Sequence, residues 1–381
     1  MKSIPFYDYE RMYQTEQLFV SDAINDVLRR SDFILRDDLS KFEVSMAEHL
    51  RARHAIGVGN GTDAIWLALL VAGIKSGDEV ILPAHTYIAT ADAVKFVGAT
   101  PVLVDCDKDH SISVDAIEAA ITESTAAIIP VNLNGRSCRL EEISRLAAKQ
   151  GLKVIEDNAQ GLGAMLNGKF AGTFGDLSTL SFYPAKILGC YGDGGAVITN
   201  SDEMSARVFE LRNHGRDTTG EVVSWGFNSR LDNLQAAILN SKLSRLAENI
   251  RQRREIAKIY VSGLSDIQEL ALPDGPSETS EYFDSFQNFE VEAEKRDELR
   301  EYLRANGIGT ILPWAGKAVH QFGLPGMKIM DVSRTDSIFR KVMLLPMNQY
   351  LDKSEARRII DVIREYYGYS RFVSKEESSP I

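Results

Sequence analysis

A chain of 381 residues can bury two hydrophobic cores, and its 44% hydrophobic and 25% charged content is ordinary for a water-soluble globular protein. The net charge of −11, with lysines and arginines scattered along the chain, excludes a phosphate-tracking basic stripe, so nucleic acid is not an expected partner. The longest apolar stretch, AIWLALLVAGI, is about half of a membrane span, which excludes a membrane partner. The opening MKSIPFYDYERMYQTE has no uninterrupted apolar segment to serve as a secretory signal, and a cytoplasmic location is expected. Cys106, Cys138 and Cys190 are spaced too irregularly for a disulfide framework or a zinc site; they read as free thiols, and no metal is expected.

In chain order, HAIGVG reads as a strand, followed by a helix from Thr62 to Ala72, the strand EVILP and a helix from Ile88 to Val97. TPVLVD, a helix from Val114 to Ile121, AAIIPVNL, a helix from Leu140 to Lys149 and LKVIED continue the rhythm. Near-continuous apolar strands alternating with helices imply a mainly parallel sheet covered on both faces. LSTLSFY and GAVITN are two further strands, bracketing the glycine-rich GCYGDGG. After Arg230 one long helical pattern runs from Leu234 to Leu264; FQNFEVEA, RDELREYLRANGI and SEARRIIDVIREYY then suggest a smaller α+β unit. The expected division is a large domain over 1–245 and a smaller one over 246–381, with the polar SRFVSKEESSPI as a frayed tail.

Four segments carry chemistry. In STLSFYPAKILGCYGDGGAV a strand ends at Ser181 and Phe182, turns at Pro184 and presents Lys186 among apolar neighbours. Desolvation disfavours an ammonium there, and an uncharged amine can form a Schiff base with an aldehyde cofactor; a surface lysine beside a loop is the plain alternative. In VIEDNAQ, Asp157 stands at the carboxyl end of a strand, where open α/β sheets place ligands. It suits the ring nitrogen of pyridoxal phosphate, or else caps a following helix. Gln160 would reach the ring hydroxyl or lie near the ring face. In GVGNGTDAIWLALL, Gly61 and Thr62 open a helix directly after a strand, an arrangement that binds a single phosphate; the glycine spacing is not that of a dinucleotide site. Tyr87, in LPAHTYIATADAV, begins a helix where an aromatic ring stacks on a planar ligand or fills the core.

With GATPVLVDCD, AIIPVNLNG, NSRLDNLQAAIL and LLPMNQYL, these stretches resemble the DegT/DnrJ sugar aminotransferases, relatives of aspartate aminotransferase, from about residue 55 to residue 350. The resemblance implies fold type I: a seven-stranded, mainly parallel mixed sheet flanked by helices, with a smaller C-terminal α+β domain. It implies that Lys186 carries pyridoxal 5'-phosphate, Asp157 binds the ring nitrogen, Gln160 lies by the ring hydroxyl and Tyr87 stacks on the ring. Gly61, Thr62 and Ser181 would hold the phosphate, with Asn228 supplied by the other subunit of a homodimer. Arg230, Trp314, Lys317 and His320, together with Arg216, are candidates for the sugar or its diphosphate.

The block SFYPAK-LG-YGDGG is similar to members that aminate C-3 of nucleotide-linked keto-sugars. The implied activity is transfer of an amino group from glutamate to such a sugar, a 3-keto-6-deoxyhexose. C-4 amination or a non-catalytic paralogue are the alternatives, while family dehydratases replace the lysine by histidine. The substrate half departs from the family pattern at Asn132-Leu133-Asn134-Gly135, at Ser285 where histidine is usual, and at Ile311 to Gln321.

Overall fold

A computed structural model describes residues 3–277 and 279–372; most of the proposed tail, 373–381, lies outside them. The chain opens with α1 (Tyr9–Arg30) and α2 (Asp37–Leu50), two helices for which the sequence reading has no counterpart. It then alternates β1 (His54–Val58), α3 (Gly61–Val71), β2 (Glu79–Pro83), α4 (Ile88–Phe96), β3 (Thr100–Val104), α5 (Val114–Ala120), β4 (Thr125–Ile128), α6 (Leu140–Gln150) and β5 (Lys153–Asp157). A small hairpin of β6 (Met165–Leu166) and β7 (Lys169–Phe170) precedes β8 (Leu177–Ser181), β9 (Gly195–Thr199) and α7 (Asp202–Leu211). Next come α8 (Asn233–Leu243), α9 (Leu246–Leu264), β10 (Leu270–Ala271), β11 (Tyr282–Phe283), β12 (Phe289–Ala293) and α10 (Arg296–Ala305). The order closes with β13 (Lys328–Ile329), α11 (Ser333–Lys341), β14 (Val342–Leu345) and α12 (Lys353–Tyr367).

The central sheet has the order β1-β9-β8-β5-β4-β2-β3-β13. β9 runs antiparallel to both its neighbours, and the remaining pairings are parallel. It therefore has eight strands where seven were expected. The extra one, β13, is a two-residue edge strand alongside β3, too short and too polar to announce itself by alternation.

One apolar cluster packs α3, α4 and α7 on one face of the sheet, and a second packs α5 and α6 on the other. This double cover is why the strands read as continuous apolar runs. A third cluster joins α2 and α8 to β8 and β9, and a fourth joins α9, α10 and α12 to β12 and β14. Ile4 belongs to that last cluster and pairs with Ile308.

The long helical pattern proves to be two helices, broken at Ser244 and Arg245. The first half packs against α1 and α2, the second against α12, and a straight rod would not serve both. All three cysteines are buried and free. Among the described residues no helix is long and apolar enough to cross a membrane.

Candidate active site

Because β9 reverses direction between β1 and β8, strands β1, β2, β4, β5 and β8 all point the same way. Their carboxyl ends meet at one edge of the sheet, where open α/β sheets collect ligands. The segments leaving that edge are Asn60–Thr62, Ala84–Tyr87, Asn132–Asn134, Asp157–Gln160 and Ser181–Lys186. Four of the five contain residues named above as candidates for the cofactor.

The turn after β1 is closed by Asn60, whose Oδ1 accepts the Asp63 amide at 2.8 Å and so caps α3. The amides of Gly61 and Thr62 have no acceptor within the helix, and the helix dipole adds positive potential there. Close packing explains the glycines. A Cβ on Gly61 would lie 2.9 Å from Ser181 Cβ, and one on Gly195 only 2.3 Å from the Asn60 carbonyl oxygen. Behind the turn, the Ser229 hydroxyl donates to Asp63 Oδ2 at 2.6 Å and accepts the Gly59 amide at 3.1 Å. The result is a rigid cradle with two free amides and the Ser181 hydroxyl beside them.

Asp157 is 5% exposed at the end of β5. Strand alternation turns its neighbour Glu156 to the opposite face. There Glu156 accepts the amides of Gly172, Phe174 and Gly175 at 2.6–2.9 Å, which is structural support. Asp157 Oδ2 accepts the Thr90 hydroxyl at 2.8 Å, and Oδ1 accepts the Ala159 amide at 3.1 Å. No helix follows β5, so the helix-cap alternative for Asp157 falls away. Burial raises the proton affinity of this carboxylate, opposed by Thr90, the Ala159 amide and Lys186. Lys186 is half-buried; burial brings its ammonium down to about 8, against the pull of Asp157. Its amine makes no hydrogen bond or ion pair among the described residues. An amine that partly sheds its proton and a buried carboxylate thus sense one another across the site.

The lysine turn is held from far along the chain. Gln287, 4% exposed, accepts the Ile187 amide at 2.7 Å and donates to the Ala185 carbonyl at 2.9 Å. Gln160 accepts the Asn134 amide at 2.8 Å and the Asn288 side-chain amide at 3.3 Å. Tyr87, exposed at the start of α4, has its ring 5.6 Å from that of Trp314, so these two candidates share one wall.

Other candidates sit apart or have other partners. Asn228 is exposed on the loop that pairs it with Asn213. Arg230 donates to the Asn213 side-chain amide oxygen at 3.0 Å. Lys317 is exposed above the Phe322 ring, His320 meets Asp336 at 2.9 Å, and Arg216 donates to the Gly220 carbonyl at 2.8 Å. Ser285 donates its amide to Gly135 at 2.8 Å, bracing the loop after β4. The sequence reading missed Thr90, Gln287 and Asn288. Thr90 had a signal, lying one helical turn beyond Thr86; the other two had none.

The profile of the DegT/DnrJ/EryC1/StrS aminotransferase family matches residues 15–364. The chain belongs to this family. Among its relatives is a "dTDP-3-amino-3,4,6-trideoxy-alpha-D-glucose transaminase" of Streptomyces venezuelae, 38% identical over 95% of this chain and 96% of the relative. A "pleiotropic regulatory protein" of Geobacillus stearothermophilus is also 38% identical, over 96% of this chain and 99% of its own. The X-ray crystal structure of S. venezuelae DesV in complex with a ketimine intermediate superposes with a TM-score of 0.89 at 37% identity, covering 96% of this chain and 99% of that one. The family's mixed, mostly parallel sheet flanked by helices is the fold described above.

Proposed function

We propose that this member of the family uses pyridoxal 5'-phosphate to move an amino group from glutamate to C-3 of a nucleotide-linked keto-sugar. The observation that carries the reading is the pair formed by the Lys186 amine, lowered to about 8, and the buried Asp157 carboxylate. The residues fit the group. A cradle in which glycine Cβ atoms would collide suits a phosphate at Gly61, Thr62 and Ser181, and a buried carboxylate calls for a cationic partner such as a protonated ring nitrogen. When bound, the cofactor supplies an electron sink for charge that develops as a carbon–hydrogen bond breaks.

The chain's own residues do the rest. Asp157 holds the ring nitrogen protonated, and Thr90 with the Ala159 amide fixes the carboxylate's orientation. Gln160 would lie by the ring and Tyr87 would cover one face. Lys186 Nζ takes the proton from the α-carbon of the amino donor and later delivers one to the sugar carbon. A positioned acid–base group of this kind is worth about 10²- to 10⁴-fold in rate. Asn228 would reach the phosphate of the other subunit in a homodimer, and Arg230, Trp314, Lys317 and His320, once released from their present partners, are the candidates to hold the sugar nucleotide. The enzyme acts in the cytoplasm. The similarity to a transaminase whose product carries nitrogen at C-3 supports the carbon position. The relative named as a regulator makes a non-catalytic role the second reading, but such a chain would be free to lose Lys186, Asp157 and the phosphate turn, and all are present.

The deciding experiment incubates the protein with cofactor, glutamate and a nucleotide-linked 3-keto-6-deoxyhexose and identifies the product by NMR. A 3-amino sugar formed by the native protein and absent with Lys186→Ala is expected. No glutamate-dependent product, or Lys186→Ala retaining the absorbance of lysine-bound cofactor, would sink the proposal.

A further inference from the structure

Away from the lysine turn, His85, His110 and Glu290 converge from three separate segments: the one after β2, the turn after β3, and β12. One ligand atom from each lies within 4.8 Å of the others, the sole such group among the described residues. His85 is 1% and Glu290 5% exposed, yet neither ring nitrogen of His85 nor Glu290 Oε2 has a hydrogen-bond partner, Nε2 and Oε2 meeting only as a loose ion pair. Leaving three buried polar atoms unsatisfied in one spot is costly, and such a cluster calls for a missing occupant.

The spacing says what kind. His85 Nε2 and Glu290 Oε2 stand 3.7 Å apart, too far for a hydrogen bond. Two ligands at about 2.1 Å from one tetrahedral cation lie about 3.4 Å from each other. His110 completes the set. Its Nδ1 is 2.5 Å from Glu290 Oε1, and its Nε2 is 3.3 Å from Glu292 Oε1. The Nδ1 contact with Glu290 Oε1 is a hydrogen bond, so a cation would have to take the place of the proton at Nδ1, while Nε2 keeps its contact with Glu292, as the second nitrogen of a metal-binding histidine does. Glu290 and Glu292 share a face of β12, as alternate residues do. His110 also holds a left-handed backbone at φ 66°, a conformation uncommon outside glycine. A cavity of about 230 Å³ lined by His110, Glu290 and Glu292 gives a route from solvent.

We propose that His85, His110 and Glu290 bind a divalent transition cation of the zinc class, with Glu292 orienting His110. Imidazole and carboxylate together suit zinc better than calcium or magnesium. Bound there, the cation ties the loop that carries Tyr87 to the strand that follows Asn288.

The test uses tag-free, full-length protein stripped with chelator and titrated with zinc. One equivalent retained through gel filtration, and a thermal midpoint that rises with zinc concentration, are expected. His85→Gln and Glu290→Gln should abolish that binding, and Glu292→Gln should weaken it about 10- to 100-fold. If those variants do not fold, a native crystal soaked in zinc decides the matter: an anomalous-scattering peak between His85 and Glu290 supports the site. No retained zinc, affinity unchanged in the folded variants, or a peak elsewhere would overturn it.

Discussion

Gln287→Leu isolates the clamp on the lysine turn. Leucine nearly conserves the volume, so little cavity is created, but the Ile187 amide and the Ala185 carbonyl lose their partner together. Both bonds are short and lie in a buried place, Gln287 being 4% exposed. An unsatisfied buried polar group costs about 1–3 kcal/mol, so the pair costs about 2–6 kcal/mol if the turn stays in place. If the turn moves outward to reach water, stability recovers at the expense of the position of Lys186. The assay therefore has two readouts: urea unfolding of the cofactor-free protein, and the rate at which added pyridoxal phosphate acquires the absorbance of a lysine-bound form. A loss of at least about 1 kcal/mol, or a reconstitution rate cut severalfold, is expected. Stability and rate both matching the native protein would refute the clamp.

Gly195→Ala places a Cβ 2.3 Å from the Asn60 carbonyl oxygen and 2.9 Å from the Gly61 nitrogen, both backbone atoms that cannot swing aside. Displacing the turn should cost about 1–3 kcal/mol and weaken cofactor binding by at least about tenfold; equilibrium dialysis giving the native affinity would dismiss the phosphate cradle. The Lys186 amine should add to an aldehyde only when unprotonated, so reconstitution should climb with pH up to about 8 and then level off. A flat profile would place the reacting amine elsewhere. The folded pKa of about 8 lies below the ordinary 10.5 of lysine, so between those values the unfolded chain binds the extra proton. Burial of this group therefore costs stability in full below pH 8, and that cost is relieved as pH rises toward 10.5.

Local residue order determined a good part of this protein. Five apolar strands, the first four each followed by a helical pattern, glycines at the start of α3, an acid at the end of β5 and a lysine just past β8 were all legible, because each is a short-range matter of periodicity, steric freedom and strand termini. Their gathering at one edge follows from parallel strands sharing a direction. Tertiary structure decided what depends on contacts between distant segments. Gln287 reaches Ile187 across 100 residues of chain, and Asn288 reaches Gln160 across 128, with no pattern in between to announce either bond. β13 is too short to show a period, and the helical run from 234 to 264 breaks because its two halves serve different cores. The convergence of His85, His110 and Glu290 belongs with these. Histidine and glutamate at such separations carry no spacing signature, so only the packing of β12 against the segments after β2 and β3 brings their unsatisfied nitrogen and oxygen atoms within reach of one ion.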